Sequence, residues 1–276
     1  MKVLSYKYIL PNTDGVVEVL DRQGYMTPQY ISMMEEYILS ITLTGKCAFL
    51  YAGGAVVTAS EARNVSKTTE YREPIKESSM VIKELAAYSM HKWIGMLNDR
   101  DKIKYANINA NTCASSMHSL YEAEQLLNNG YDEVVIVAEE KTAYNTLRIF
   151  DEHTIDLKIG EGCVVIHLGK GADISDCKWG YEYNRNPFGV TGTGYAEVMS
   201  ECDYVNPHGT GTPNNETAEK VYGDTPQLRY KEIYGHTQGV SGLLEVCLVL
   251  DEKVSGNVLC VASGLGGFYG SCIVSK

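Results

Sequence analysis

A chain of 276 residues that is 44% hydrophobic and 21% charged can bury one large core or two packed halves, and no apolar run approaches the ~20 residues that span a bilayer. Its net charge of −11 is spread without a basic cluster, which excludes a nucleic-acid backbone as the natural partner. The eight cysteines are dispersed, form no C-x-x-C pair and fall partly in apolar runs such as CVVIHL and EVCLVL, so reduced buried thiols are expected rather than a disulfide frame or a zinc site.

The first fifteen residues lack both a sustained apolar core and a small-residue cleavage site, so a cytoplasmic location is expected. Thr27-Pro28 supplies a capping hydroxyl and a first-turn proline for a helix through QYISMMEEYILSI. GKCAFLYAGG reads as a buried strand. The polar stretch from 58 to 77 reads as a long loop. Apolar residues at Ile82, Leu85, Ala86, Met90, Trp93 and Leu97 follow a helical period. YANINAN is then a strand, Cys113 opens a second helix that stops at Asn128-Asn129-Gly130, and EVVIVA is the next strand. Strand, helix, strand in that order predicts a parallel α/β sheet. KIGEGCVVIHLG gives a turn and a strand, and the Gly-, Asn- and Tyr-rich stretch from 181 to 195 is the expected crossing between halves. DYVNPHGTGTP is a short strand entering a loop, GVSGLLEVCLVL a helix with small residues, and NVLCVASGLGGFYGSCIVSK two strands around a glycine-rich turn.

Chemistry concentrates at few positions. Cys113 falls where a strand becomes a helix, and unsatisfied N–H groups at a helix start favour a thiolate. His208 and His236 lie in glycine-bounded loops, and either one taken alone reads as structural. HGTGT lacks the lysine and spacing of a P-loop, and His118, five residues after Cys113, is expected to be structural.

Five segments taken together resemble the β-ketoacyl synthases of fatty-acid and polyketide assembly, and they occur in family order. NTCASSMHSLYEAEQLLNNGYDEVVIVAEEK is similar to the nucleophile segment, FDEHTIDLKIGEGCVVI to the Phe-Asp and Gly-Glu-Gly stretch, and VNPHGTGTPNNETAE to the first histidine motif. KEIYGHTQGVSGLLE resembles the second histidine motif, and ASGLGGFYG the glycine-rich turn near the family's C-terminus. The resemblance is clear over 105–276 and loose before it. Two histidines set this branch apart from relatives with a Cys-His-Asn set, and the segment around Cys272 does not resemble the second cysteine motif of degradative thiolases.

The resemblance implies a thiolase-like α/β fold of two similar halves, residues 1–170 with the nucleophile and 171–276 with both histidines, layered α-β-α-β-α. It further implies that Cys113 takes an acyl group from the phosphopantetheine arm of an acyl carrier protein. The backbone N–H groups of Cys113 and Leu265 would form the oxyanion hole, His208 and His236 would act on a malonyl thioester, and Lys231 and Glu245 would support them. The product would be a β-ketoacyl thioester. No metal or tightly bound cofactor is implied, and the partner would be a second copy or a synthase-like subunit. Ser263 and Leu265 stand where the family carries two gating phenylalanines, and the chain is compressed between Gly160 and His208 and before Cys113. These departures leave two alternatives, an acyltransferase or thioesterase that does not elongate and a non-catalytic chain-length-factor-like partner.

Overall fold

A computed structural model describes residues 1–10, 16–18, 23–26, 28–53, 87, 89–140, 159–183 and 189–276. The long loop expected at 58–77, the first part of the helix expected from Ser78, and Phe150-Asp151 lie outside them.

The chain opens with β1 (Lys2–Ile9), the short β2 (Val16–Glu18) and β3 (Gln23–Met26), and α1 (Pro28–Ser40), which starts at the expected proline. β4 (Cys47–Ala52) follows, then a helix over 89–96 (α2), β5 (Ile103–Asn109), α3 (Ser115–Asn128) and β6 (Glu133–Glu140). After β7 (Ile159–Gly160) and β8 (Gly162–Gly169) come β9 (Ile174–Tyr181), α4 (Gly192–Glu197), β10 (Tyr204–Asn206), α5 (Pro213–Ala218) and α6 (Tyr230–Tyr234). The last elements are α7 (Ser241–Asp251), β11 (Asn257–Gly264) and β12 (Phe268–Ser275). α3 stops where its sequence asked it to: the Asn129 N–H folds back onto the carbonyls of Gln125 and Leu126, and Gly130 takes φ +87°.

A five-stranded sheet runs β1-β8-β6-β4-β5 and a four-stranded sheet runs β10-β11-β12-β9. The first is only partly the expected parallel sheet: β4 is parallel to β5 and β6, but β8 is antiparallel to both β6 and β1. The chain changes sheet between Gly169 and Ile174, not in the stretch from 181 to 195. Turn-forming composition alone does not mark the passage between sheets, which needs only a four-residue link, 170–173. In the second sheet β11 and β12 form the expected antiparallel hairpin.

Period-two alternation sorts the side chains into layers. Ala48, Leu50 and Ala52 of β4, Val134, Ile136 and Ala138 of β6, and Val164, Ile166 and Leu168 of β8 face a central core. Val258, Cys260 and Ala262 of β11 and Cys272 and Val274 of β12 close the same core from the other side. Between the sheets lie α3, through Met117, Leu120, Ala123 and Leu127, and α7, through Leu243, Val246, Cys247 and Val249. The outer face of the first sheet carries Phe49, Tyr51, Val135 and Val137 beneath Met34 and Ile38 of α1 and Trp93 of α2. The outer face of the second carries Leu259, Val261 and Ile273 beneath Tyr195, Val198, Ala218 and Tyr222. The order is therefore helix, sheet, helices, sheet, helix. A strand covered on both faces loses its alternation, which explains the continuous apolar run 134–138 inside β6, and α7 is apolar on most sides because it lies between the two sheets. A large apolar side chain fully buried in such a layer contributes about 1.5–3 kcal/mol.

Candidate active site

The nucleophile segment follows the C-terminal end of β5. The Asn111 N–H donates to Ser115 Oγ at 2.8 Å, and Ser115 Oγ lies 2.6 Å from the Thr112 carbonyl. Thr112 is held at φ +52°, a left-handed conformation that costs a β-branched residue on the order of 1–3 kcal/mol. Such strain is kept only where the surroundings impose it. Here Thr112 Oγ1 donates to the Leu265 carbonyl at 3.2 Å, and the backbone of Gly264 lies so close that a Cβ there would meet the Asn111 carbonyl and Thr112 Oγ1 at 2.5 Å. The turn between β11 and β12 is thus pressed onto the nucleophile turn.

Cys113 is buried in a single turn of 3₁₀ helix, Thr112–Ala114, and α3 starts two residues later. The expected pull of the helix start toward a thiolate is opposed here by burial. Burial, reinforced by the Glu140 charge, pushes the Cys113 thiol up to about 12, against a smaller opposing pull from Lys231. The neutral thiol faces a base directly: His236 Nε2 lies 3.1 Å from Cys113 Sγ.

His236 is set by both halves of the chain. Its carbonyl accepts from the Gly160 N–H at 3.0 Å, and its Nδ1 lies 3.1 Å from Ser241 Oγ, at the start of α7. A hydroxyl can donate or accept, so Ser241 allows the proton on either ring nitrogen. His208 follows β10 and stands edge-on to His236, ring centroids 5.3 Å apart and planes at 89°. Its Nδ1 accepts the Ser263 N–H at 3.3 Å, which fixes the proton on Nε2 and makes that atom a donor. Burial, and then the Lys231 charge, hold both histidines well below the ordinary imidazole range, so both are neutral at pH 7.

Lys231 and Glu245 form the expected pair, Nζ to Oε1 2.5 Å, both side chains buried. Asn206 Nδ2 donates to the second oxygen, Glu245 Oε2, at 2.6 Å. Burial raises the Glu245 carboxyl above its usual range while the ammonium opposes it. Leu265 is 37% exposed on the turn beside Thr112. Ser263, expected at a gate, is buried and committed elsewhere: its Oγ lies 2.9 Å from the Tyr195 hydroxyl and its N–H is the one that holds His208. His118 is structural, with Nδ1 2.7 Å from Asn111 Oδ1 and its ring stacked on Trp179 at 4.2 Å.

Several site residues carried no signal of their own. Tyr195 donates to Asn215 Oδ1 at 2.5 Å, Asn215 Nδ2 donates to Glu219 Oε1 at 2.7 Å, and the Gly209 N–H donates to the same oxygen at 2.7 Å. Asn215 and Glu219 stand inside the first histidine motif and could have been singled out by their spacing of four on a helix. Tyr195 could not. Among the described residues no cluster of three or more His, Cys, Asp or Glu side chains could hold a metal ion, and no helix is long and apolar enough to cross a membrane.

No family model matches the chain, and no curated protein matches it. Solved structures do. A β-ketoacyl synthase from Burkholderia phymatum STM815 superposes with a TM-score of 0.66 at 15% identity, over 84% of this chain and 76% of that one. The ketosynthase FabY from P. aeruginosa gives 0.63 at 12% identity, over 88% of this chain and 54% of that one. AntDE:AntF, a type II PKS acyl-carrier protein in complex with its ketosynthase bound to the hexaketide, gives 0.60 at 15%, over 85% and 79%. The fold is therefore the thiolase-like one that these ketosynthases share.

Proposed function

We propose that this chain, built on the ketosynthase fold, is a β-ketoacyl synthase that carries out a decarboxylative Claisen condensation. The observation that carries the reading is the buried triad: the Cys113 thiol 3.1 Å from the neutral His236, with His208 edge-on at 5.3 Å as a fixed Nε2–H donor. A thiol beside a neutral imidazole suits acyl transfer, and an imidazole with a fixed donor suits an enolate oxygen.

In the first half-reaction the thiol proton passes to His236 Nε2 as sulfur attacks the thioester carbonyl of an acyl carrier protein. The carrier thiol leaves with that proton, and Cys113 keeps the acyl group. The backbone N–H groups of Cys113 and Leu265 are the proposed oxyanion donors, whose value lies in meeting charge that develops only in the transition state. In the second, the oxygen of a malonyl thioester accepts from His208 and from His236 in its Nε2–H form, CO₂ leaves, and the enolate carbon attacks the acyl-enzyme. Cys113 departs as thiolate and takes one proton from solvent, which restores the thiol. The buried Lys231–Glu245 pair keeps the histidine loops in register, while burial, and then the Lys231 charge, keep both rings neutral. The working unit is a second copy or a pairing with a synthase-like subunit, with phosphopantetheine as the substrate's arm and not a resident cofactor.

Intact-mass measurement after incubation with acyl and then malonyl carrier protein tests the reading. An acyl adduct converted to an extended product is the expected result. An adduct without extension would mean an acyltransferase or thioesterase, and no adduct a non-catalytic partner.

A further inference from the structure

We propose that the Tyr195 hydroxyl is a positioning group for His208, the clasp of a hydrogen-bonded ring that ties both anchors of this histidine together. The inference rests on the condensing reading for its kinetic consequence but not for its structural one.

The first anchor is the Ser263 N–H on His208 Nδ1, and the second is the Gly209 N–H, on the residue after His208, held by Glu219 Oε1. Between them the chain of donors has only one consistent direction. Glu219 Oε1 accepts from both the Gly209 N–H and Asn215 Nδ2, so Asn215 Oδ1 is left to accept, and it does so from Tyr195 at 2.5 Å. Because Tyr195 spends its single proton there, Ser263 Oγ–H must be the donor to the tyrosine oxygen at 2.9 Å. The ring therefore runs Ser263 to Tyr195 to Asn215 to Glu219, and it closes through His208.

Each member is buried, so an unmade bond here is not replaced by water. The Tyr195 ring is itself fixed, edge-on to Tyr269 at 5.3 Å and tilted against Tyr222 at 5.9 Å. A rigid body thus carries the hydroxyl that joins α5 to the end of β11. Ser263 is small enough to admit it, which gives that position a purpose distinct from a gate.

The test uses Tyr195→Phe and Ser263→Ala in the whole chain. Misplacement of a reacting group by ~1 Å costs roughly a hundredfold, so malonyl decarboxylation should fall toward that factor in each variant while acyl loading, which uses His236, is kept. The double variant should fall no further than either single one, because both break the same ring. Independently of turnover, NMR of isotope-labelled histidine ring nitrogens should show His208 as the Nε2–H tautomer in the wild type and as a tautomer mixture in both variants. If the wild type decarboxylates and the variants match it with an unchanged His208 signal, the clasp is refuted. Equal loss of loading and decarboxylation with an unchanged His208 signal refutes it too, since that is what general destabilisation would give. Should the wild type fail to decarboxylate, the condensing reading falls, and the His208 signal alone then decides the clasp.

Discussion

The Cys113 thiol and the His236 ring are both buried, and burial acts on them in opposite senses, raising the acid and lowering the base. Both shifts favour the neutral forms, so on the proposed reading loading should proceed by direct proton transfer across 3.1 Å and not from a stored thiolate. His236→Ala is therefore expected to slow acylation of Cys113 by about 10²-fold or more, read as adduct formed against time. Protonation of His236 would remove the base, but its folded value lies well below the ordinary ~6.5, so loading should stay level as pH falls from 8 to 6. An acid limb centred near 6.5 would contradict this account. Of the eight thiols only Cys113 should carry the acyl group, as peptide mapping would show. The Lys231–Glu245 pair belongs to the same scale. Lys231→Met strands a buried carboxylate and should cost about 3–5 kcal/mol in urea unfolding, most of it recovered in Lys231→Met/Glu245→Leu. Cys113, His208, His236, Lys231 and Glu245 were legible because each sits in a short local word. The state of the thiol was not, because it depends on what covers the sulfur. Tyr195 was invisible because its partner Ser263 is 68 residues away.

At the level of elements, helix ends were the easiest feature to read, since Pro28 and Asn129-Gly130 act through their own backbones. The nucleophile turn was harder: a threonine at φ +52° announces nothing, and the single 3₁₀ turn exists because the β11–β12 turn presses on it. Gly264 is where that pressure is applied. Gly264→Ala would drive a methyl group to 2.5 Å from the Asn111 carbonyl, forcing the two turns apart. Expected are a loss of stability of about 1–3 kcal/mol and a disproportionate fall in Cys113 acylation. Denaturant midpoints and adduct yields measured on one preparation check both. Acylation at the wild-type rate would mean that the contact is not needed to shape the site.

For the whole molecule, the central helical layer matters most, because α3 and α7 are buried against both sheets at once. Two sheets that share one core should not melt separately. The two tryptophans give a direct test: Trp93 lies on the outer face of the first sheet, its indole 3.1 Å from Glu139, and Trp179 lies on β9 of the second. In Trp93→Phe and Trp179→Phe, fluorescence of the remaining indole and far-ultraviolet circular dichroism should give coincident urea midpoints. Separated midpoints would show that the halves unfold as distinct units. The layered architecture was accessible from sequence only through the family resemblance. Strands covered on both faces lose the alternation that reveals a sheet's orientation, and so the antiparallel placement of β8 left no trace in its continuous apolar run.

The contact between Gly264 and Thr112 also has a meaning in time. A ribosome delivers Cys113 long before it delivers β11, and until β11 arrives nothing supplies the N–H that orients His208 or the backbone that twists Thr112. On the proposed reading, a chain that has not yet gained β11 should have neither the oriented His208 nor the shaped nucleophile turn, and so should not condense. Condensation is then expected only once the hairpin docks. Such long-range closure is slow to form, so on that reading activity should appear at the completion of folding and not at one of its early steps.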